Sequence, residues 1–160
     1  DAVELLEQEA VGSESLSTQG LQTEEEISGF RVEVEDKLGE AKEYLPELYL
    51  PGYISEGYAF VELEIRHTSS EAFVAEYVYE NGEGDMLFLH QRQKVKDGGS
   101  LSADYIVEGE TIEGGVAYYQ EDPETGINNY AYYLEGGLEL YAAGRLAREE
   151  LKNILEHFLP

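Results

Sequence analysis

The stretch from Ile127 to Phe158 constrains this chain more than any other. Asn128 to Glu135 runs into Gly136-Gly137, and Leu138 to Ala143 runs back out, which reads as a β-hairpin. Leu151, Ile154, Leu155 and Phe158 follow at i, i+3, i+4 and i+7, so one stripe of a last helix is apolar. An isolated hairpin is marginal in water, and so is an isolated short helix. The two are stable together only on the apolar face of a larger sheet, which the preceding residues must supply.

They have the patterns to do so. Phe30, Val32 and Val34 alternate with polar residues in a short edge strand beginning near Ile27. Asp36 to Tyr44 is expected to add about two helical turns, with Gly39 costing about 1 kcal/mol. Pro46 and Pro51 bracket a short edge segment. Gly57 to Arg66 sets Ala59, Val61, Leu63 and Ile65 against Tyr58, Phe60, Glu62 and Glu64. Glu71 to Glu80 sets Phe73, Ala75, Tyr77 and Tyr79 against Val74, Glu76 and Val78. After the Asn81-Gly82 turn, Leu87 and Leu89 oppose Met86, Phe88 and His90. Weak strands are expected at Ala103 to Val107 and Glu110 to Ile112, and a further one after Gly114-Gly115. Short spacings and hairpin turns argue an antiparallel meander. Because both faces carry apolar and aromatic residues, the expected fold is α+β. It is a strongly curved, half-barrel-like antiparallel sheet of about six to eight strands, packed by the C-terminal amphipathic helix.

Residues 1–26 hold eight acids and no base, and 12–23 lack apolar periodicity, so this segment reads as an acidic tether before a single domain at 27–160. The whole chain has 35 acids against 10 bases, a formal charge of −25, which disfavours nucleic acid and anionic membrane surfaces as partners. There is no Cys, hence no disulfide or thiolate chemistry, and no apolar run approaches the roughly 20 residues of a membrane span. The chain opens with Asp1 and its one Met is the internal Met86, so it reads as a processed or trimmed piece of a longer protein, with any signal or anchor already gone.

Several fragments occur in an order that resembles a known family. These are Leu-Pro-Gly-Tyr-Ile-Ser-Glu-Gly-Tyr-Ala-Phe (50–60), Glu-Tyr-Val-Tyr-Glu-Asn-Gly (76–82), Thr-Ile-Glu-Gly-Gly-Val-Ala-Tyr-Tyr (111–119) and Leu-Ala-Arg-Glu-Glu-Leu (146–151). Together they resemble domain of unknown function 4367 over about Tyr44 to Phe158. The resemblance implies an extracytoplasmic domain of a Gram-positive, membrane-anchored or anti-sigma-factor-like protein, with no established chemistry to carry over. The family favours Trp where Tyr133 stands and Ser at the helix N-cap, where this chain has Ala147. Losing that acceptor costs about 1 kcal/mol, although Glu150 and the Leu146/Leu151 staple remain. The family pattern favours pairing Tyr133 with Leu140; a three-residue loop would instead face Tyr132 and Leu134 with Leu138, and one residue of slip inverts every side chain.

Catalytic chemistry finds little footing. Glu62 and Glu64 share a strand face at a separation glycosidases could use, but a general acid needs burial, and a Glu alternating with core residues points outward. His67, His90 and His157 form no His-x-x-x-His pair, so a zinc site is not expected, and His157 suits the helix C-terminus. Glu80, Glu83 and Asp85, and Asp122, Glu124 and Asn128, flank turns without matching a calcium loop. No cofactor is implied. Thirteen tyrosines remain, crowded into the last strands. Tyr118, Tyr119, Tyr130, Tyr132 and Tyr141 are the candidate ligand-binding residues, for a peptide, glycan or lipid; cross-strand aromatic packing is the structural alternative. The expectation is a non-catalytic extracytoplasmic binding or sensing module. A carrier of a hydrophobic ligand held between helix and sheet, and an acid-dependent glycoside hydrolase, are the alternatives.

Overall fold

The computed structural model describes residues 29–69, 71–94 and 108–160. The acidic segment 1–26 and the expected strand at 103–107 lie outside them. In chain order the elements are β1 (Gly29–Val32), a 3-10 turn (Glu35–Lys37), α1 (Leu38–Tyr44), β2 (Leu50–Pro51), β3 (Ala59–Arg66), β4 (Glu71–Glu80) and β5 (Met86–Lys94). They continue with β6 (Glu108–Ile112), β7 (Gly115–Gln120), β8 (Asn128–Leu134), β9 (Leu138–Gly144), α2 (Arg148–Glu156) and β10 (Phe158–Leu159).

Eight strands form one antiparallel sheet in the order β1-β3-β4-β5-β9-β8-β7-β6, and β2 pairs separately with β10. Two meanders, β3-β4-β5 and β6-β7-β8-β9, meet at a β5–β9 seam. The edge strands β1 and β6 do not pair, so the sheet is open and the fold is α+β. One face is dry. Leu63, Ile65, Phe73, Tyr77, Leu87, Leu89, Tyr132 and Leu140 pack there against Leu151, Ile154 and Leu155 of α2 and against Phe158. Tyr49 and Tyr77 both set their rings edge-on to Phe158, with centroids 6.0 and 5.7 Å away. The β2–β10 pair ties the chain end down: Gly52 N–H donates to the His157 carbonyl at 2.6 Å, and a Cβ on Gly52 would stand only 2.9 Å from that oxygen.

The apolar stripes of β4, β5 and α2 face the core as their periodicity predicts. Two local registers differ from expectation. In β3 the pairing passes from Phe60↔Tyr79 to Glu62↔Val78, so Val61 is the extra residue of a β-bulge. The bulge turns Phe60 to the core beside Leu63 and Ile65, edge-on to Tyr79 at 5.7 Å, and leaves Val61 37% exposed. The larger ring gains more by burial than the smaller valine does. In the C-terminal hairpin Leu138 pairs with Leu134 and Leu140 with Tyr132, not Tyr133. The loop is the three residues Glu135-Gly136-Gly137, whose two glycines both take positive φ (81° and 82°), a conformation that side chains with a Cβ resist. This register carries Tyr133 to the opposite face of the sheet.

Candidate functional site: the helix-free face

The second sheet face has no helix on it among the described residues. Alternation sends Arg92, His90 and Phe88 of β5 to this side, with Glu139 and Tyr141 of β9, Tyr133 and Ala131 of β8, and Tyr118 and Gln120 of β7. The register lines them up in rows. His90 pairs with Tyr141, Tyr141 with Ala131, Ala131 with Tyr118, and Tyr118 with Gly109 of β6. In the neighbouring row Arg92 pairs with Glu139 and Glu139 with Tyr133. Small Ala131 thus sits between the rings of Tyr118 and Tyr141, and a pocket of about 300 Å³ opens above it. Tyr118, Tyr133 and Tyr141 wall it, with Gln120 and Asn129 on one side and His90, Arg92 and Glu139 on the other.

Each wall is held by a neighbour. The His90 and Tyr141 rings stack at 4.6 Å and 14°. Tyr118 and Tyr133 lie 5.4 Å apart, tilted by 60°. Tyr118 can lie flat over β6 because Gly109 has no Cβ, which would otherwise come within 2.6 Å of the ring. Glu139 is only 8% exposed, and burial by itself would raise its pKa. Hydrogen bonding and charge from His90, then charge from Arg92, outweigh that burial and hold the carboxyl below its ordinary range. Arg92 Nη1 donates to Glu139 at 3.3 Å, and Arg92 Nε lies 3.0 Å from Glu71. Burial first, and the Glu139 charge second, push the Tyr133 hydroxyl up to about 12 and raise that of Tyr141. Both hydroxyls are therefore protonated donors at neutral pH.

His90 Nε2 lies 3.6 Å from Glu139 and Arg92 Nε 3.0 Å from Glu71, so both buried nitrogens face a carboxylate, each short of a well-aligned hydrogen bond.

The five tyrosines singled out by sequence divide between the faces. Tyr118 and Tyr141 wall the pocket, and Tyr119 also borders it. Tyr119, Tyr130 and Tyr132 point to the helix side and belong to the core at 5%, 1% and 8% exposure. Tyr119 donates to Glu121 at 2.9 Å, Tyr130 donates to Glu110, and the Arg148 guanidinium of α2 lies 5.0 Å above the Tyr119 ring. The Arg148 contact helps dock the helix on these rings. Tyr133, His90, Arg92 and Glu139 complete the pocket and were missing from the sequence set. Tyr133 was hidden by the register of the hairpin, whereas His90 was legible as the residue opposite Leu87 and Leu89.

Other suggestive groups are engaged locally. Glu62 accepts from Arg31, and Arg66 lies 3.5 Å from Glu64 and 3.1 Å from Glu76. Asn81 and Asp122 side chains accept backbone N–H groups of their own turns, from Glu83, Asp85 and Glu124. Comparison with protein-family models, curated proteins and solved structures finds no match for this chain.

Proposed function

We propose that this chain is a non-catalytic binding or sensing module that takes its ligand on the helix-free face, in the pocket above Ala131. The observation that carries the reading is a pocket with aromatic walls and a few convergent polar side chains, His90, Arg92 and Glu139, on a sheet face that no helix covers among the described residues. The resemblance in sequence supplies the setting: an extracytoplasmic domain of a membrane-anchored protein, passing on the binding event to the rest of the chain. Glu139 is kept ionised by His90 and Arg92, which suits it to hold a ligand and unsuits it as a general acid. The other carboxyls displaced from their ordinary range, Glu110 and Glu150, also go down rather than up. The carrier alternative needs space between helix and sheet, and Leu151, Ile154, Leu155 and Phe158 fill that layer.

The test is an amide-shift titration of the labelled chain with three probes: an N-acetylglucosamine tetramer, a blocked Lys/Leu hexapeptide and dihexanoyl phosphatidylcholine. Shifts gathered on Tyr118, Ala131, Tyr133, Glu139 and Tyr141 are expected with one of them. Shifts confined to α2 and the core, or none with any probe, would overturn the proposal.

A further inference from the structure

The charged groups of the pocket above Ala131 are paired with one another or with Glu71. Glu139 lies 3.3 Å from Arg92 and 3.6 Å from His90, and Arg92 also lies 3.0 Å from Glu71. A charged ligand would have to break one of these pairs, and leaving a buried partner alone is costly. The occupant that fits is therefore neutral. What the walls still offer is ring faces and amides. Tyr118 and Tyr141 flank Ala131 on β7 and β9, roughly 10 Å apart at two strand spacings. Tyr141 gives one face to His90, which leaves its other face toward Ala131, and Tyr118 rests flat over Gly109. Gln120 and Asn129 pair across β7 and β8 on the same side of the sheet. Neither spends its side-chain amide on another described residue. The same two amides line a second depression of about 570 Å³, with Asp122, Thr125 and Ile127 of the turn between those strands. The two spaces thus meet at the Gln120–Asn129 pair.

Resting on the binding-module reading, we propose that this double site takes a neutral oligosaccharide. A pyranose ring has an apolar face of C–H groups and an edge of hydroxyls. The C–H groups carry the positive partial charge that the negative face of an aromatic ring attracts, so one sugar stacks on Tyr118 or Tyr141. Its hydroxyls both donate and accept, as do the amides of Gln120 and Asn129 at the junction. The next sugar lies over Asp122 and Thr125. A lipid tail has no use for those amides and needs an enclosed apolar cavity, whereas both spaces are open and edged with polar groups.

The experiment follows amide shifts of the full labelled chain with two neutral probes, the N-acetylglucosamine tetramer and cellotetraose. The deacetylated, cationic glucosamine tetramer, the Lys/Leu hexapeptide and dihexanoyl phosphatidylcholine are the comparators. A neutral tetramer should move Gln120, Asn129 and Ala131, with an affinity that changes by less than about twofold between low and high salt. Tyr118→Ser, and Gln120→Ala with Asn129→Ala, should each weaken it by about fivefold or more. Tyr118→Phe, which keeps the ring face, and Tyr44→Ser, which removes an exposed ring on α1, should stay within about twofold. Unshifted Leu151 and Phe158 resonances report an intact fold in each variant, and the amide pair, half-buried at the rim, keeps the test standing if Tyr118→Ser unfolds. Affinity that falls steeply with salt, or equal losses from Tyr44→Ser and Tyr118→Ser, would overturn the proposal. If a comparator moves the pocket walls and neither neutral tetramer does, the binding-module reading stands and this inference falls. If no probe moves any residue of the face, both fall.

Discussion

Gln91 and Glu150 are single side chains that fix parts of the backbone no periodic pattern could place. Gln91 is 1% exposed, yet both ends of its amide are used: the oxygen accepts Tyr49 N–H at 2.7 Å and the nitrogen donates to Glu47 C=O at 3.0 Å. Gln91→Leu keeps the volume and orphans both backbone groups, so it should cost about 2–4 kcal/mol, read as a lower urea midpoint. Glu150 occupies the N3 position of α2, where a capping box would turn it back on its own helix. With Ala147 offering no hydroxyl, Glu150 instead accepts from Ser55 and Tyr53, each at 2.6 Å. The segments 50–60 and 146–151 thereby meet in space. Those hydrogen bonds, Ser55 first and Tyr53 next, outweigh burial and lower the carboxyl from its ordinary 4.5. The sign follows: the stabilisation is present above 4.5 and is lost as pH falls through the depressed folded value. The wild type should therefore exceed Glu150→Gln in stability at about pH 7, and the gap should close as the pH drops below the ordinary carboxyl range. Urea midpoints of both chains across that range decide it; a gap independent of pH would refute the assignment.

At the level of elements, alternation was legible wherever one parity was clearly apolar. Phe73, Ala75, Tyr77 and Tyr79 of β4 could face only one way, and the α2 stripe only the sheet. It failed where both parities were comparably greasy. Phe60 and Val61 compete for the core in β3, as Tyr132 and Tyr133 do in β8, and no pattern states which wins. Half of the candidate pocket depends on the second contest, which is why the expected pairing with Leu140 put Tyr133 on the wrong face. Glycines on the last strands give a direct test of the register. Gly115 lies opposite Leu134, and a Cβ there would stand 2.0 Å from the Tyr133 carbonyl oxygen, a rigid backbone atom. At Gly109 the obstacle is the Tyr118 ring, which can swing aside. Gly115→Ala should therefore cost about 2–3 kcal/mol or more, and Gly109→Ala under about 1, with Tyr118 resonances shifted. Equal costs in thermal melts would contradict the pairing described.

Across the whole molecule, the dry core holds several buried tyrosines among its leucines, and they set an upper pH limit on the fold. Tyr77, Tyr79, Tyr130 and Tyr132 are each no more than 8% exposed and come from both meanders. Burial, the largest cause in every case, raises all four above the ordinary value of 10, Tyr130 to about 12 and the others further. Tyr130 is raised additionally by its hydrogen bond to Glu110, and the Glu110 and Glu156 charges act on Tyr132 in the same sense. Neutral tyrosine is thus the form the fold accepts. Its contribution is complete below 10 and is lost as pH rises through the folded values. Above 10 the unfolded chain sheds these protons first, at about 1.4 kcal/mol per pH unit for each group. Four such groups amount to about 5 kcal/mol per unit, comparable with the whole stability of an ordinary domain. A charge of −25 adds repulsion that every new tyrosinate increases. Tyrosinate absorbance should therefore rise in two stages: a gradual one from exposed rings, then a cooperative one coincident with the loss of β-sheet circular dichroism between about pH 11 and 12. A single gradual titration that leaves the sheet signal intact would mean that these rings are open to solvent, and the core would have to be drawn differently.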